Sequence, residues 1–314
     1  GSGLGSMSQG SGSIQTRLSI SRGFGFDGTH YEDTGIDEFG NTISVPGHVH
    51  DVTLDLFRVV MQFDYVIEDP WSIRARLPLE RRTRTSSISQ IDPAATPEQI
   101  EAMERNLQIH HPSEILTGFG DLELLLGHQF RDFGVEMGSL SIALGSTLPT
   151  GKTEDNPYEL GDAGERHEHI QFGSGTFDPI LEFSYARPFG ESSVFSFYGQ
   201  GRFPTSTSSK GYKGSQLIQG GMGVVTALGE VGPWEHLNGV LGLFVQDMGR
   251  AYWEGEEDPN TGFQNLSLQL GINWRDEMMR SWNLSLILPL SVETSSGPEG
   301  TYDPGPVINL AIGF

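Results

Sequence analysis

The fold of this chain is decided by a ten-residue stretch, Asn265-Leu-Ser-Leu-Gln-Leu-Gly-Ile-Asn-Trp274. Leucine, isoleucine and tryptophan fill the even positions, and asparagine, serine, glutamine and glycine fill the odd ones. Successive side chains of a β-strand point to opposite faces, so this stretch predicts a strand with one apolar face and one polar or small face. Residues 281–293 repeat the pattern.

The same alternation recurs along the whole chain. Most of the segments are about ten residues long or slightly longer, which is what a tilted strand needs to cross the core of a bilayer. The twelve predicted strands are 13–22, 51–68, 71–84, 118–131, 137–149, 178–188, 192–203, 215–228, 237–249, 262–275, 281–293 and 305–314.

Composition excludes several classes of protein. No run approaches the ~18 apolar residues of a membrane-spanning helix. Acidic residues outnumber basic ones 41 to 19, giving a net charge of −22, which argues against nucleic acid as a partner. The absence of cysteine fits an exported chain without disulfides. We expect residues 1–12 to be a flexible N-terminal segment and residues 13–314 to form one domain.

The connections between the predicted strands alternate in length. Short turns lie at 68–70, 131–134, 188–191, 228–235 and 275–280, and longer acidic, glycine-rich loops lie at 23–50, 85–117, 150–177, 204–214, 250–261 and 294–304. Short turns at one end and long loops at the other are typical of outer-membrane barrels, where the short turns face the periplasm.

Aromatic residues form two bands along these segments. Tyr65, Phe130, Phe189 and the tryptophans Trp71, Trp234, Trp274 and Trp282 lie beside short turns, and Phe57, Phe119, Phe203, Trp253 and Phe263 lie toward the other strand ends. Such bands are expected at membrane interfaces. A soluble β-sandwich or jelly roll explains the alternation, but neither the loop lengths nor the bands.

We therefore predict an all-β fold, a transmembrane antiparallel up-and-down β-barrel of about twelve strands, in the bacterial outer membrane. The segment that ends at Phe314 is similar to the closing strand of such barrels. One short helix is expected in the second long loop. Thr96, Pro97 and Gln99 suit the N-cap, the first helical position and the capping box, and Ile100, Met103 and Leu107 share one face. This helix either folds inward or covers the rim.

Three glycine-rich stretches carry a resemblance to a known family. They are Gly118-Phe-Gly-Asp-Leu-Glu-Leu124, Leu148-Pro-Thr-Gly-Lys152 and Gly173-Ser-Gly-Thr-Phe-Asp-Pro179. In them the chain resembles the "MetA-pathway of phenol degradation" family of outer-membrane transporters, which implies a small-molecule channel, sometimes for aromatic compounds. We interpret the glycines themselves as structural, because they permit tight exits from strand ends.

If the apolar face of each strand meets lipid, many charged side chains point inward, since an arginine facing lipid near the midplane costs roughly 2–4 kcal/mol. The predicted pore-lining residues are Arg17, Arg58, Asp64, Arg74, Arg76, Glu80, Arg82, Glu123, Glu182, Gln200 and Arg202. We expect an arginine-rich wall facing carboxylates across the lumen. This arrangement either orients anions and zwitterions in transit or forms ion pairs that plug a narrow barrel.

Histidines are concentrated in or beside the long loops. Seven of the nine lie there: His30, His48, His50, His110, His111, His167 and His169. Two H-x-H pairs stand out, because alternate residues of an extended segment point to the same side and can share Zn²⁺ or Cu²⁺. The predicted metal ligands are His48, His50, His167 and His169. A second, weaker hypothesis is Ca²⁺ at the acidic loop 254–260.

Catalytic motifs such as G-x-S-x-G, H-E-x-x-H or a cysteine nucleophile are absent from the sequence, so we predict that the protein is not an enzyme. The function that we predict is a channel for passive passage of small polar or aromatic solutes. The alternatives are a metal-binding outer-membrane protein that uses its histidine-bearing loops, and a structural barrel that anchors a partner. Outer-membrane lipid and a small-molecule solute are the expected partners, and a partner protein or a homo-oligomer stays open.

Overall fold

The structure is a computed structural model that describes residues 12–134, 138–231, 234–259, 261–295 and 304–314. Residues 1–11 of the predicted flexible segment therefore lie outside the described residues. In chain order the elements are β1 (Ile14–Ile36), β2 (Thr42–Glu68), β3 (Trp71–Ser89), α1 (Pro97–His110), β4 (Glu114–Phe119), β5 (Leu122–Phe133), β6 (Gly138–Leu148), α2 (Pro157–Asp162), β7 (Pro179–Phe189), β8 (Ser193–Arg202), β9 (Tyr212–Lys213), β10 (Leu217–Val231), β11 (Trp234–Met248), β12 (Tyr252–Trp253), β13 (Glu256–Glu257), β14 (Phe263–Arg275), β15 (Ser281–Thr294) and β16 (Val307–Gly313).

The strands close into a barrel. Each strand of the wall pairs antiparallel with its neighbour in sequence, and β1 pairs with both β2 and β16. Strands β4 and β5 pair with successive parts of β3 and occupy one place in the wall, which makes twelve strands and confirms the predicted fold. Among the described strands of the wall, each one except β4 has a partner on both sides. An unpaired edge in lipid would cost several kcal/mol for each unsatisfied backbone group.

The outer surface of the barrel is apolar and the inner one polar. Leu270 is 39% exposed and Leu284 is 40% exposed, whereas Ser267 and Ser285, on the opposite faces of the same two strands, are buried. Tyr65, Trp71, Phe130 and Phe189 are exposed beside the short turns, where one aromatic band was predicted. Trp253 was wrongly assigned to the other band. It is buried against Tyr212 in the small sheet of β9, β12 and β13, with ring centroids 4.8 Å apart.

The first long loop, predicted at 23–50, is mostly strand. β1 runs on to Ile36 and β2 starts at Thr42, so the two strands extend the barrel wall as a hairpin closed by the turn 37–41. Asp37 holds this turn by accepting from the backbone N–H groups of Phe39 and Asn41. The sequence pattern concealed the extension, because a strand that leaves the bilayer enters water and no longer needs an apolar outer face.

Helix α1 forms as predicted and covers the inward face of this hairpin. Thr96 caps it, with its hydroxyl accepting from Gln99 N–H and Gln99 Oε1 accepting in return from Thr96 N–H. Met103 is fully buried and packs with Ala102 on Val45 of β2. The second helix, α2, was not predicted from the sequence. Neither helix is both long and apolar enough to cross a membrane.

Candidate functional site: the lumen and a histidine cluster above it

Register fixes which charged side chains lie in the lumen. Arg74 and Arg76 of β3 lie opposite Asp64 and Gln62 of β2. Arg74 also binds Glu182 at 2.9 Å, although β5 and β6 stand between β3 and β7 in the wall. Two side chains on strands so far apart meet only through the interior. The predicted arginines of β3 therefore point into the barrel.

The carboxylates of the lumen are not opposite the arginines, as the sequence led us to expect, but bonded to them. Arg74 lies 2.6 Å from Asp64. Arg76 lies 2.6 Å from Glu123 and also pairs with Glu182. The charges thus form short ion pairs on one side of the barrel instead of a field between facing walls.

A second group of ion pairs lies higher in the lumen. Glu80 forms ion pairs with Arg82 at 2.7 Å and with Arg58 at 3.4 Å. Arg202, on the inner face of β8, has an Nε atom with no hydrogen-bond partner among the described residues. Six arginines and four carboxylates are among the predicted pore-lining residues, so this set keeps a net positive charge.

The wall from β8 to β16 is different, because its inward side chains are mostly amides, hydroxyls and glycine. Gln219 donates to Gln200 at 2.6 Å, and Asn283 donates to Asn273. At the end with the short turns, Asn273 and Asn283 border a cavity of about 1020 Å³, with Arg17 on its edge. The lumen therefore has one charged side, one uncharged polar side and an opening toward the periplasm.

Loops cover the opposite end of the barrel. Phe172, from the loop between β6 and β7, stacks on the inward-facing Arg82 at 5.0 Å and lies where a Cβ on Gly118 would clash. Asp121 holds the loop in place by accepting from Gly151 N–H at 2.9 Å and Ser174 N–H at 2.7 Å. The three glycine-rich motifs thus meet around one buried carboxylate, in agreement with their structural interpretation.

Further contacts join this loop to the next ones along the rim. Tyr158 donates to Asp258 at 2.9 Å, and Lys210 donates to the carbonyl of Thr153 at 3.1 Å. Burial raises the pKa of Tyr212 to about 12, so this phenol stays neutral. These contacts join the described loops into a layer at the extracellular end of the barrel.

All seven loop histidines meet in one place, which we call the histidine cluster (His30, His48, His50, His110, His111, His167 and His169). His30 of β1 lies directly opposite His50 of β2. The rings of His48 and His50 are 5.0 Å apart, and both side chains are fully buried. These three residues therefore line the inward face of the hairpin above the membrane.

The other four histidines come from the loops that pack on the hairpin. His111 caps α1, and its ring centroid lies 5.1 Å from that of His30 and 5.9 Å from that of His50. One ring nitrogen from each of these three residues lies within 4.8 Å of the other two. His167 lies 4.8 Å from His110, between ring centroids. The cluster thus spans three separate loop segments.

Five imidazoles of the cluster, those of His50, His110, His111, His167 and His169, are neutral at neutral pH. Burial lowers the pKa of His50 and of His169 to about 3 and that of His110 to about 4, and it also lowers the pKa of His111 and His167. Neutral imidazole is the form that binds metal ions. Arg84 joins the two loops that carry His111 and His167. It donates to the carbonyl of Pro112 at 2.8 Å and forms ion pairs with Glu114 and Glu168.

The structure brings the four predicted metal ligands together with the other three loop histidines. Each H-x-H pair does point both rings to one side, with centroids 5.0 Å apart in His48–His50 and in His167–His169. The two pairs do not contact each other directly. His111 lies between them, 5.9 Å from His50 and 6.1 Å from His169. The tight group therefore contains His30 and His111, which are not among the predicted ligands.

The acidic loop proposed for Ca²⁺ is arranged differently from a cation site in its described part. Glu256 and Glu257 are exposed. Asp258 is buried, and its carboxylate accepts a hydrogen bond from the Tyr158 hydroxyl. Asn260 lies outside the described residues. Calcium binding there stays an untested prediction.

Comparison with known proteins supports the fold. No family model and no curated protein matches the chain. An outer membrane channel from Pseudomonas putida F1 is 14% identical, with a TM-score of 0.58 over 98% of this chain and 96% of the other. A Pseudomonas aeruginosa FadL homologue (9% identity, TM-score 0.41, 96% and 90% covered) and the CymD monoaromatic hydrocarbon channel (8%, 0.40, 97% and 88%) are more distant. The likeness shows the fold. The outer-membrane location rests on the closed barrel with its apolar outer surface, and the narrower family resemblance rests on the motifs.

Proposed function

We propose that the protein is a channel through which small polar or aromatic solutes pass the outer membrane passively. The observation that carries this proposal is the cavity of about 1020 Å³ at the periplasmic end, which is bordered by the inward-facing Arg17, Asn273 and Asn283 and by the turn between β14 and β15. A barrel that served only as an anchor has no need of such a space, and small barrels are commonly filled by their own side chains.

The lining of the lumen suits small solutes that carry polar groups. Paired arginines and carboxylates offer bonds to both signs of charge, and the opposite wall offers amides and hydroxyls. The resemblance to a family associated with phenol degradation favours the same class of solute.

Two features narrow the path. The bonds from Arg74 and Arg76 to Glu182 bridge β3 and β7 through one side of the interior, and Phe172 of the loop layer lies on the inward-facing Arg82. We therefore expect low conductance, with rearrangement of the loops as the slow step.

Single-channel recording in planar bilayers tests the proposal. Wild-type protein should give discrete steps, and Arg17→Glu, which reverses a charge at the edge of the cavity, should shift the reversal potential in a KCl gradient toward that of K⁺. Arg131→Glu is the matched control, because Arg131 pairs with Asp69 at a periplasmic turn outside the lumen. If neither wild type nor variants give steps, or if both variants shift the potential equally, the proposal is wrong.

A further inference from the structure

The histidine cluster has no role in the proposed channel, and its composition is unusual for a loop layer. We propose that it binds a borderline divalent metal ion, Zn²⁺ or Cu²⁺, through His30, His50 and His111. The bound ion fastens the α1 loop to the β1–β2 hairpin, and through the neighbouring histidines it holds the β6–β7 loop as well. This proposal does not depend on solute transport.

The spacing of the nitrogen atoms suits such an ion. With metal–nitrogen bonds of about 2.0–2.1 Å, the nitrogens of a tetrahedral site are about 3.3 Å apart. The proposed ligands His30, His50 and His111 present ring nitrogens within 4.8 Å of one another. Side-chain movements of about 1 Å bring these nitrogens to the tetrahedral spacing.

Several ring nitrogens are buried without partners. His50 Nδ1, His111 Nε2 and His169 Nδ1 have no hydrogen-bond partner among the described residues. Leaving a buried polar atom unsatisfied costs about 1–3 kcal/mol, so a cluster held only by hydrogen bonds between imidazoles would carry this cost three times over. A metal ion bound to these lone pairs removes part of it.

Neighbouring groups orient several imidazoles of the cluster, the proposed ligand His30 among them. The carbonyl of Pro46 only accepts, so His48 Nδ1, 3.1 Å away, carries the proton and Nε2 presents its lone pair. His167 Nδ1 is held in the same way by the carbonyl of Glu165 at 2.9 Å. His30 Nε2 lies 2.7 Å from the Glu32 carboxylate, a pairing that orients a ligating imidazole and increases its basicity.

The first experiment is calorimetric titration of untagged, metal-stripped protein with ZnCl₂. Wild type should bind about one ion tightly, and the triple variant His30→Ala/His50→Ala/His111→Ala should bind at least 100-fold more weakly. The control variant His128→Ala/His236→Ala removes two histidines outside the cluster and should titrate like wild type. Because the triple variant changes two wall residues, His111→Ala alone, on a loop, provides a second variant.

Electron paramagnetic resonance of the Cu²⁺ form adds a count of ligands. Wild type should show hyperfine coupling to at least three nitrogens, and His111→Ala should show one fewer. Equal heats from wild type and the triple variant, or a copper spectrum unchanged by His111→Ala, would overturn the site.

A separate readout tests whether the ion fastens the loops. The Arg166 side chain is 59% exposed in the β6–β7 loop, immediately before His167, and offers a trypsin site. Zn²⁺ should slow cleavage there at least fivefold in wild type and leave the rate unchanged in the triple variant. A wild-type rate that is the same with Zn²⁺ and with EDTA would refute the fastening.

Discussion

Glu182 is the residue on which the interior ion pairs converge, and replacing it tests their energetic role. Its carboxylate binds Arg74 at 2.9 Å and also Arg76, and its side chain is only 13% exposed. Glu182→Gln keeps the shape and removes the charge. Hydrogen bonds to charged groups contribute about 1.5–3 kcal/mol each.

Both arginines retain a second carboxylate, Asp64 or Glu123, and the lumen admits water. The net loss of stability should therefore be smaller than the sum of the two bonds. We expect a loss of about 2 kcal/mol, which corresponds to a roughly 30-fold fall in the ratio of folded to unfolded protein. Urea unfolding in lipid vesicles, followed by tryptophan fluorescence, should show a lower midpoint with an unchanged slope.

The control and the coupling make this prediction specific. Glu191→Gln, at the exposed turn after β7, should unfold like wild type. Combining Glu182→Gln with Arg76→Gln should destabilise less than the sum of the single changes, by about 1 kcal/mol or more. If Glu182→Gln unfolds at the wild-type midpoint, or if the two changes are additive, the interior ion pairs contribute nothing and our account of the lumen is refuted.

The remaining predictions concern facing and the loop layer. Because the chain has no cysteine, Asn273→Cys should react quickly with a charged, membrane-impermeant thiol reagent, whereas Leu270→Cys should be protected by lipid; equal rates would mean that the facing of β14 is wrong. Met103→Ala should cost about 2–5 kcal/mol locally and speed amide hydrogen exchange in 97–110, with exchange in β15 as the internal control; unchanged exchange in α1 would contradict the packing described here.

Much of the fold was predictable because the bilayer imposes a strict pattern on the sequence. Every strand segment that crosses lipid must alternate, so the positions of Leu266 to Trp274 gave both the strand and its facing. The hairpin above the membrane obeys no such constraint. Its outer face is wet, and its acidic, glycine-containing sequence therefore looked like a loop.

The candidate site was predictable only in part, because it depends on register. His30 lies opposite His50 only because a bulge between Gly23 and Phe26 shifts the pairing of β1 with β2. A one-residue slip would turn these side chains to opposite faces. Likewise, nothing near His111 in the sequence shows that α1 folds back onto the hairpin, or that Trp253 lies in a small sheet over the mouth. These features arise from contacts between distant segments.

The most direct test of the channel itself is solute entry into proteoliposomes, measured by swelling in glycine, serine or a larger oligosaccharide. We predict slow swelling in the two small solutes and none in the oligosaccharide. A variant in which residues 156–168 are replaced by a short Gly-Ser linker, which removes part of the loop layer, should swell several-fold faster. Swelling no faster than in protein-free liposomes, for both wild type and this variant, would contradict the conclusion that the barrel is a channel.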